Sequence, residues 1–250
     1  VRLGGGNLKA LVVLVGVALV AQMALRGVFA LPRVELLEPL AFALAGPQDL
    51  GSWLARVSGL APAAARAVVG AALGLPLAWW LLREREFRRA EPLLGGLALG
   101  AVVVAAWWVT GALGHLAEHP ETLEPAWLAT GSHRPEALSF VAPAASLLEL
   151  LTLWSDRSTT LSFGAATLLG VLVGAGATAL LRREFRWEGF ANPRDLAQHL
   201  IGAALMGLGG VLALGCSIGQ GLSGLSLLAA GSFIAVAGIV AGALAALRYQ

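Results

Sequence analysis

Fifty-two consecutive residues, Leu196–Leu247, contain no lysine, arginine, aspartate or glutamate. Water does not suit such a run, whereas a bilayer requires it: a helix needs about 20 apolar residues to cross the hydrocarbon core. Two crossings use most of the stretch and leave about a dozen residues over. The remainder is Leu214–Gly224, rich in glycine and small polar side chains. It is too short to cross and too apolar for solvent. Irregular backbone at membrane depth persists only where protein surrounds it, so a broken or re-entrant segment is expected here.

The rest of the chain follows suit. Pro92–Gly114 and Ser158–Leu181 are also free of charge. Apolar residues make up 58% of the 250 and charged residues 13%, about half the charged share of a soluble domain. Six spans are predicted, at about 8–30, 62–82, 92–115, 159–181, 196–214 and 225–247. The fold class is therefore all-α: a polytopic helical membrane protein with six spans, short re-entrant or interfacial helices and an internal repeat. We read residues 1–250 as one transmembrane domain. A net charge of +2 without a basic face excludes a nucleic-acid binder, although the pI is near 9.3. The single Cys216 excludes an internal disulfide framework and a cysteine-only metal site.

Basic residues orient the spans. Arg83, Arg85, Arg88 and Arg89 crowd one short loop, and Arg182, Arg183, Arg186 and Arg194 another. Placing both loops in the cytoplasm, where short loops collect Lys and Arg, puts Arg2, Lys9 and Arg248 there too. That assigns 11 of the 17 basic residues to the inside, and six (Arg26, Arg33, Arg56, Arg66, Arg134 and Arg157) to the outside. Two longer outer segments remain. Residues 31–61, with three prolines, read as short interfacial helices. In 116–158 a polar loop precedes Ala137–Leu148, which fits a short or re-entrant helix. Trp79, Trp80, Trp107, Trp108 and Trp154 fall near span ends, as membrane-interface rings do.

Several motifs carry little chemistry. His115-Leu-Ala-Glu118-His119 spells an inverted zinc-protease pattern, but Pro120 ends the helix that would carry it, and no third ligand stands out. Gly-x-x-x-Gly occurs five times. With 32 glycines, chance supplies about four such pairs, so the motif marks close packing and not dedicated dimer faces. His199, in the first turn of a span, either lines a pathway or reaches the headgroups.

Two segments concentrate polar groups. In the broken stretch, Cys216 lies among Gly215, Ser217, Gly219, Gln220 and Gly221. Glycines there allow a substrate close to the backbone, and the free N–H groups of a broken helix suit an anion. The second segment, Arg2-Leu-Gly-Gly5-Gly6-Asn7-Leu-Lys9, has the same build of glycine turn, amide and apolar helix. Paired interrupted segments line one site in many repeat-built transporters. The alternative for Asn7 is a plain helix cap.

On these motifs the chain resembles the YeeE/YedE family of sulphur-transport membrane proteins. The resemblance rests on Gly215–Gly224 and on Leu205-Met-Gly-Leu-Gly-Gly-Val-Leu-Ala before it. Arg2–Lys9 adds to it, with weaker support from Phe140–Pro143 and Leu161–Gly164. It implies an inner-membrane transporter of thiosulfate or a related sulphur anion, and no enzyme. The substrate path would be lined by Cys216, Gln220, Gly215, Ser217, Gly219, Gly221, Gly5, Gly6 and Asn7. It implies no metal and no cofactor. The partners implied are the sulphur anion, the bilayer and a cytoplasmic sulphur-carrier protein. Val1 falls inside the family's first motif, so the chain is expected to match the C-terminal two-thirds of a member. The alternatives are an accessory membrane subunit and a membrane metalloenzyme using His115, Glu118 and His119.

Overall fold

The computed structural model describes residues 1–37, 39, 46–118, 123–156 and 159–249. Six helices are long and apolar enough to cross a membrane. They are α1 (Leu8–Leu25), α4 (Pro62–Arg83), α5 (Ala90–Trp108, continued by a wide π turn to Leu113), α7 (Phe163–Leu181), α8 (Pro193–Leu212) and α9 (Ala230–Tyr249). Each matches a span expected from hydropathy, and their faces are largely exposed, as helices surrounded by lipid tails require. The shorter helices are α2 (Ala30–Pro32), α3 (Leu50–Ser58) and α6 (Val141–Thr152). At 12 residues α6 is too short to cross, as expected for that segment. Among the described residues the only strands are β1 (His115–Leu116) and β2 (Ala126–Trp127), an antiparallel pair.

The chain groups into two compact units, Val1–Ala41 with Val109–Gly219, and Phe42–Trp108 with Gln220–Gln250. In the first unit α1 and α8 run parallel in close contact. Lys9 pairs with Asp195 at 2.7 Å, Gly16 faces Ala203, and Gly207 faces Val17 and Ala21. A Cβ on Gly207 would come within 2.9 Å of the Val17 carbonyl oxygen, so the approach is backbone to backbone. Without a hydrophobic drive between helices in lipid, small residues at such crossings provide the contact. Parallel neighbours follow from alternate crossing, because α1 and α8 are the first and fifth spans. Helix α6 covers the far half of this pair. Val141 and Ala145 join Ala21, Ala24, Ala203 and Val211 in one buried cluster, and Arg26 pairs with Glu149. Gly164 in α7 admits Pro143 of α6, where a Cβ would sit 2.6 Å from the proline ring.

In the second unit α3 lies on the first turn of α4. Gly51 comes so close that a Cβ there would meet the Arg66 backbone at 2.8 Å. Asp49 caps α3, accepting from the Ser52 amide at 2.7 Å and the Ser52 hydroxyl at 2.6 Å. Burial opposes ionisation of Asp49, yet the Ser52 bonds and the Arg66 guanidinium overcome it and hold its carboxyl down to about 2. The segment before α9 pairs with the start of α3: Leu50 N–H donates to the Leu228 carbonyl, and Ala230 N–H to that of Gln48. Trp107, at the end of α5, donates its indole N–H to Ser226 at 3.0 Å. The starts of α4 and α9 and the end of α5 thus share one end of this unit, as six alternating crossings demand.

Candidate functional site

The break after α8 is built by capping geometry. Leu214 adopts a left-handed conformation (φ 56°). Its N–H returns to the Val211 carbonyl and the Gly215 N–H to that of Gly210, the double bond of a Schellman motif. Glycine usually holds the left-handed position, because a side chain there costs roughly 1–2 kcal/mol. A second cap of the same kind closes the segment, with Leu228 at φ 57° and the Ala229 N–H bonded to the Gly224 carbonyl. Between them residues 217–226 form a short helix that widens into a π turn over Gly219–Gly224. This is the broken segment expected from the charge-free run.

Cys216 stands at the first break, half-buried and free. Its Sγ accepts the Gly219 N–H at 3.4 Å and lies 4.0 Å from Ser139 Oγ. A Cβ on Gly219 would fall 3.0 Å from that hydroxyl oxygen, so glycine is what lets Ser139 approach. Ser139 was not among the sequence candidates: it lies 77 residues away, outside the motif, with no local pattern to mark it.

The other candidates are placed as follows. Gly215 carries the Schellman bond, Ser217 is exposed, and Gly221 faces open space, with only Val236 Cγ2 at 4.0 Å. Gln220, in the second unit, accepts from the Ser232 hydroxyl, and Ser232 is buried at 4% exposure. Gly224 completes that cluster: a Cβ there would overlap Ser232 Oγ.

Gly5, Gly6 and Asn7 lie at the opposite end of the α1–α8 pair from Cys216, and α1 alone is about 27 Å long. Their turn docks on the loop after α7. The carbonyls of Gly5 and Gly6 accept from the amides of Arg186 and Glu188, and Leu8 N–H donates to the Glu188 carbonyl. Gly6, at φ 93°, would drive a Cβ to 2.5 Å from the Arg186 carbonyl oxygen, so no other residue fits. Asn7 Oδ1 caps α1 by accepting from Ala10 N–H at 2.9 Å, and its amide donates to Glu188. The cap expected as the alternative role of Asn7 is therefore formed. This docking gathers Arg2, Lys9, Arg186 and Arg194 at one end of the unit, with Arg26 at the other. Basic residues expected to share a side thus share an end, and Arg26, expected on the other side, lies at the other end.

His199 makes a local network. Its Nδ1 is 2.7 Å from the Asp195 carbonyl oxygen and 3.1 Å from its carboxylate, and the ring meets Phe190 edge-on. His115 is exposed and tilts against Trp127, and Glu118 is exposed, while His119 lies outside the described residues. Among the described residues no three His, Cys, Asp or Glu side chains group to hold a metal ion.

Two curated relatives carry the name Thiosulfate transporter TsuA. The protein from Spirochaeta thermophila is 39% identical over 75 residues, 30% of this chain and 23% of that protein. The one from Escherichia coli is 27% identical over 135 residues, 54% of this chain and 32% of that protein. The chain thus spans between 23% and 32% of the length of these relatives. The family model described as Sulphur transport covers residues 1–245, and this multi-pass membrane chain belongs to that family.

Proposed function

We propose that the chain is a transport domain of the bacterial inner membrane that carries thiosulfate or a related sulphur oxyanion inward, leaving the substrate chemically unchanged. The observation that carries this reading is Cys216, a half-buried thiol at a helix break whose sulfur already accepts the Gly219 N–H. With a lone pair so engaged, the S–H is left to donate to a passing anion. A thiol donates weakly, and conduction needs binding that is favourable but loose enough for release. The thiol works as the neutral form, since a thiolate would repel a dianion. Ser139 supplies a stronger hydroxyl donor beside it. Gly215, Ser217, Gly219, Gln220 and Gly221 belong to the broken segment of the path. Gly5, Gly6 and Asn7 serve it at the cytoplasmic depth. The proposed cytoplasmic receiver is a sulphur-carrier protein, and the path uses no metal or cofactor.

The test is uptake of radiolabelled thiosulfate by cells expressing Cys216→Ala or Cys216→Ser at equal membrane abundance. Alanine removes one small atom and costs about 1 kcal/mol or less of stability, yet it should abolish uptake. Serine separates two versions of the relay. Partial activity means that hydrogen donation suffices. Failure as deep as alanine's means that the weak, soft donor is required, because a hydroxyl bonds more strongly and often to its own backbone. Undiminished uptake by the alanine variant would reduce Cys216 to a packing residue.

A further inference from the structure

Beside the start of α3 the second unit holds a cavity of about 730 Å³. Gln48, Asp49, Arg66 and Ser226 supply its polar wall, and Gly70 and Leu228 part of its apolar one. Among the described residues lining it, Arg66 is the only cation. Its stem is pinned, because Gly51 leaves no room for a Cβ against Arg66 Cγ. Its head is held loosely. Nε and Nη2 reach the Asp49 oxygens at 3.3 and 3.4 Å, longer than the roughly 2.7–2.9 Å of a charge-assisted bond. Asp49 does not depend on them, since the Ser52 amide and hydroxyl already bind it at 2.7 and 2.6 Å. Nη2 also reaches Ser52 Oγ at 3.1 Å, whereas Nη1 has no acceptor among the described residues. Ser226 is spent, accepting from Trp107 and donating to the Ser223 carbonyl, so it shapes the wall. The exposed amide of Gln48 is open to a ligand.

We infer that this cavity binds a tetrahedral oxyanion on Arg66, at residues separate from Cys216 and its neighbours. The inference rests on reading the chain as a sulphur-anion transporter. The shared chemistry admits two sources, a free sulphur oxyanion and the phosphodiester of an anionic lipid headgroup. Nη1 presents spare N–H groups, and one of them with an N–H of the loosely held Nη2 makes the planar fork that fits two oxygens of such an ion. The adjacent carboxylate keeps the grip weak, which suits a station from which a transported ion must depart. On the charge-based orientation this end of α4 faces outward, so the site would be met first by an incoming anion.

The experiment is equilibrium binding of radiolabelled thiosulfate to the 250-residue chain in nanodiscs, with phosphatidylcholine alone or with phosphatidylglycerol added. Arg66→Gln should weaken binding about tenfold or more, the scale of losing hydrogen bonds to a charged group. Asp49→Asn keeps the helix cap, because asparagine caps as well as aspartate. It removes the opposing charge and should tighten binding about two- to fivefold, the range of an exposed charge interaction. Binding unaffected by phosphatidylglycerol identifies the free anion as the occupant, and competition by that lipid identifies its headgroup. The same measurements in a Cys216→Ala background remove the thiol as a competing donor, so the dependence on Arg66 should persist there and stands apart from any failure of the thiol relay in uptake assays. Arg66→Gln binding as tightly as the parent, Asp49→Asn binding no tighter, or a parent chain that binds neither anion would each overturn the inference.

Discussion

Gly219 and Gly221 sit two residues apart in the same π turn and face different surroundings, which makes them a controlled pair. Replacing Gly219 by alanine places a Cβ 3.0 Å from Ser139 Oγ, 3.4 Å from Ser139 Cβ and 3.9 Å from Cys216 Sγ. The first two contacts are tighter than side chains normally tolerate, so Ser139 must retreat by a few tenths of an ångström. Its hydroxyl is already 4.0 Å from the thiol, and retreat separates the two donors. Overpacking of this kind costs about 1–3 kcal/mol, while alanine in place of a helical glycine recovers about 1 kcal/mol. The net loss of stability is therefore about 0–2 kcal/mol. Gly221→Ala meets only Val236 Cγ2 at 4.0 Å, an ordinary contact, and keeps the propensity gain. Thiosulfate uptake into proteoliposomes at matched protein, with thermal unfolding of the same preparations, reads both effects. Gly219→Ala should lose most of its transport at a stability cost of no more than about 2 kcal/mol, and Gly221→Ala should keep both. If Gly219→Ala transports as well as Gly221→Ala and the parent, the Ser139–Cys216 contact has no part in the path.

Gly207→Ala forces a Cβ to within 2.9 Å of the Val17 carbonyl oxygen and 3.0 Å of Val20 Cβ. It should destabilise the α1–α8 pair by up to about 2 kcal/mol net. Gly209→Ala, with nothing nearby, should be neutral or slightly stabilising, and equal melting temperatures for the two would contradict the seam. Asp49 has its carboxyl lowered from 3.8 to about 2 in the fold. A lowered acid stabilises the native state above its unfolded value and loses that contribution as pH falls from 3.8 towards 2. Melting of the parent should therefore fall off more steeply across that window than melting of Asp49→Asn; identical profiles would deny the linkage. On topology, Ser132→Cys in a Cys216→Ala background should react with an impermeant thiol reagent from outside, and Arg85→Cys should not. The reverse pattern would invert the orientation.

Hydropathy is a local property, which is why the six spans and their number could be read from residue order alone. The charge-free run Leu196–Leu247 also located the break, because neither its length nor its polarity allows two plain crossings. The division of arginines between loops anticipated which ends belong together, and the docking of Gly5 and Gly6 on Arg186 and Glu188 agrees with it. What residue order could not give is which span neighbours which. Helices α1, α7 and α9 are apolar all round, so no stripe announces a partner. The parallel pairing of α1 with α8 rests on backbone contact at Gly207, a matter of shape between segments far apart in the chain. Leu214 gave no warning that it would hold the left-handed cap, since glycine is the residue that signals one. Ser139 became part of the Cys216 site only because α6 folds back over α8, and Asn7 was carried away from that site by the full length of α1. Local chemistry fixed the elements, and packing between distant segments decided which polar groups meet.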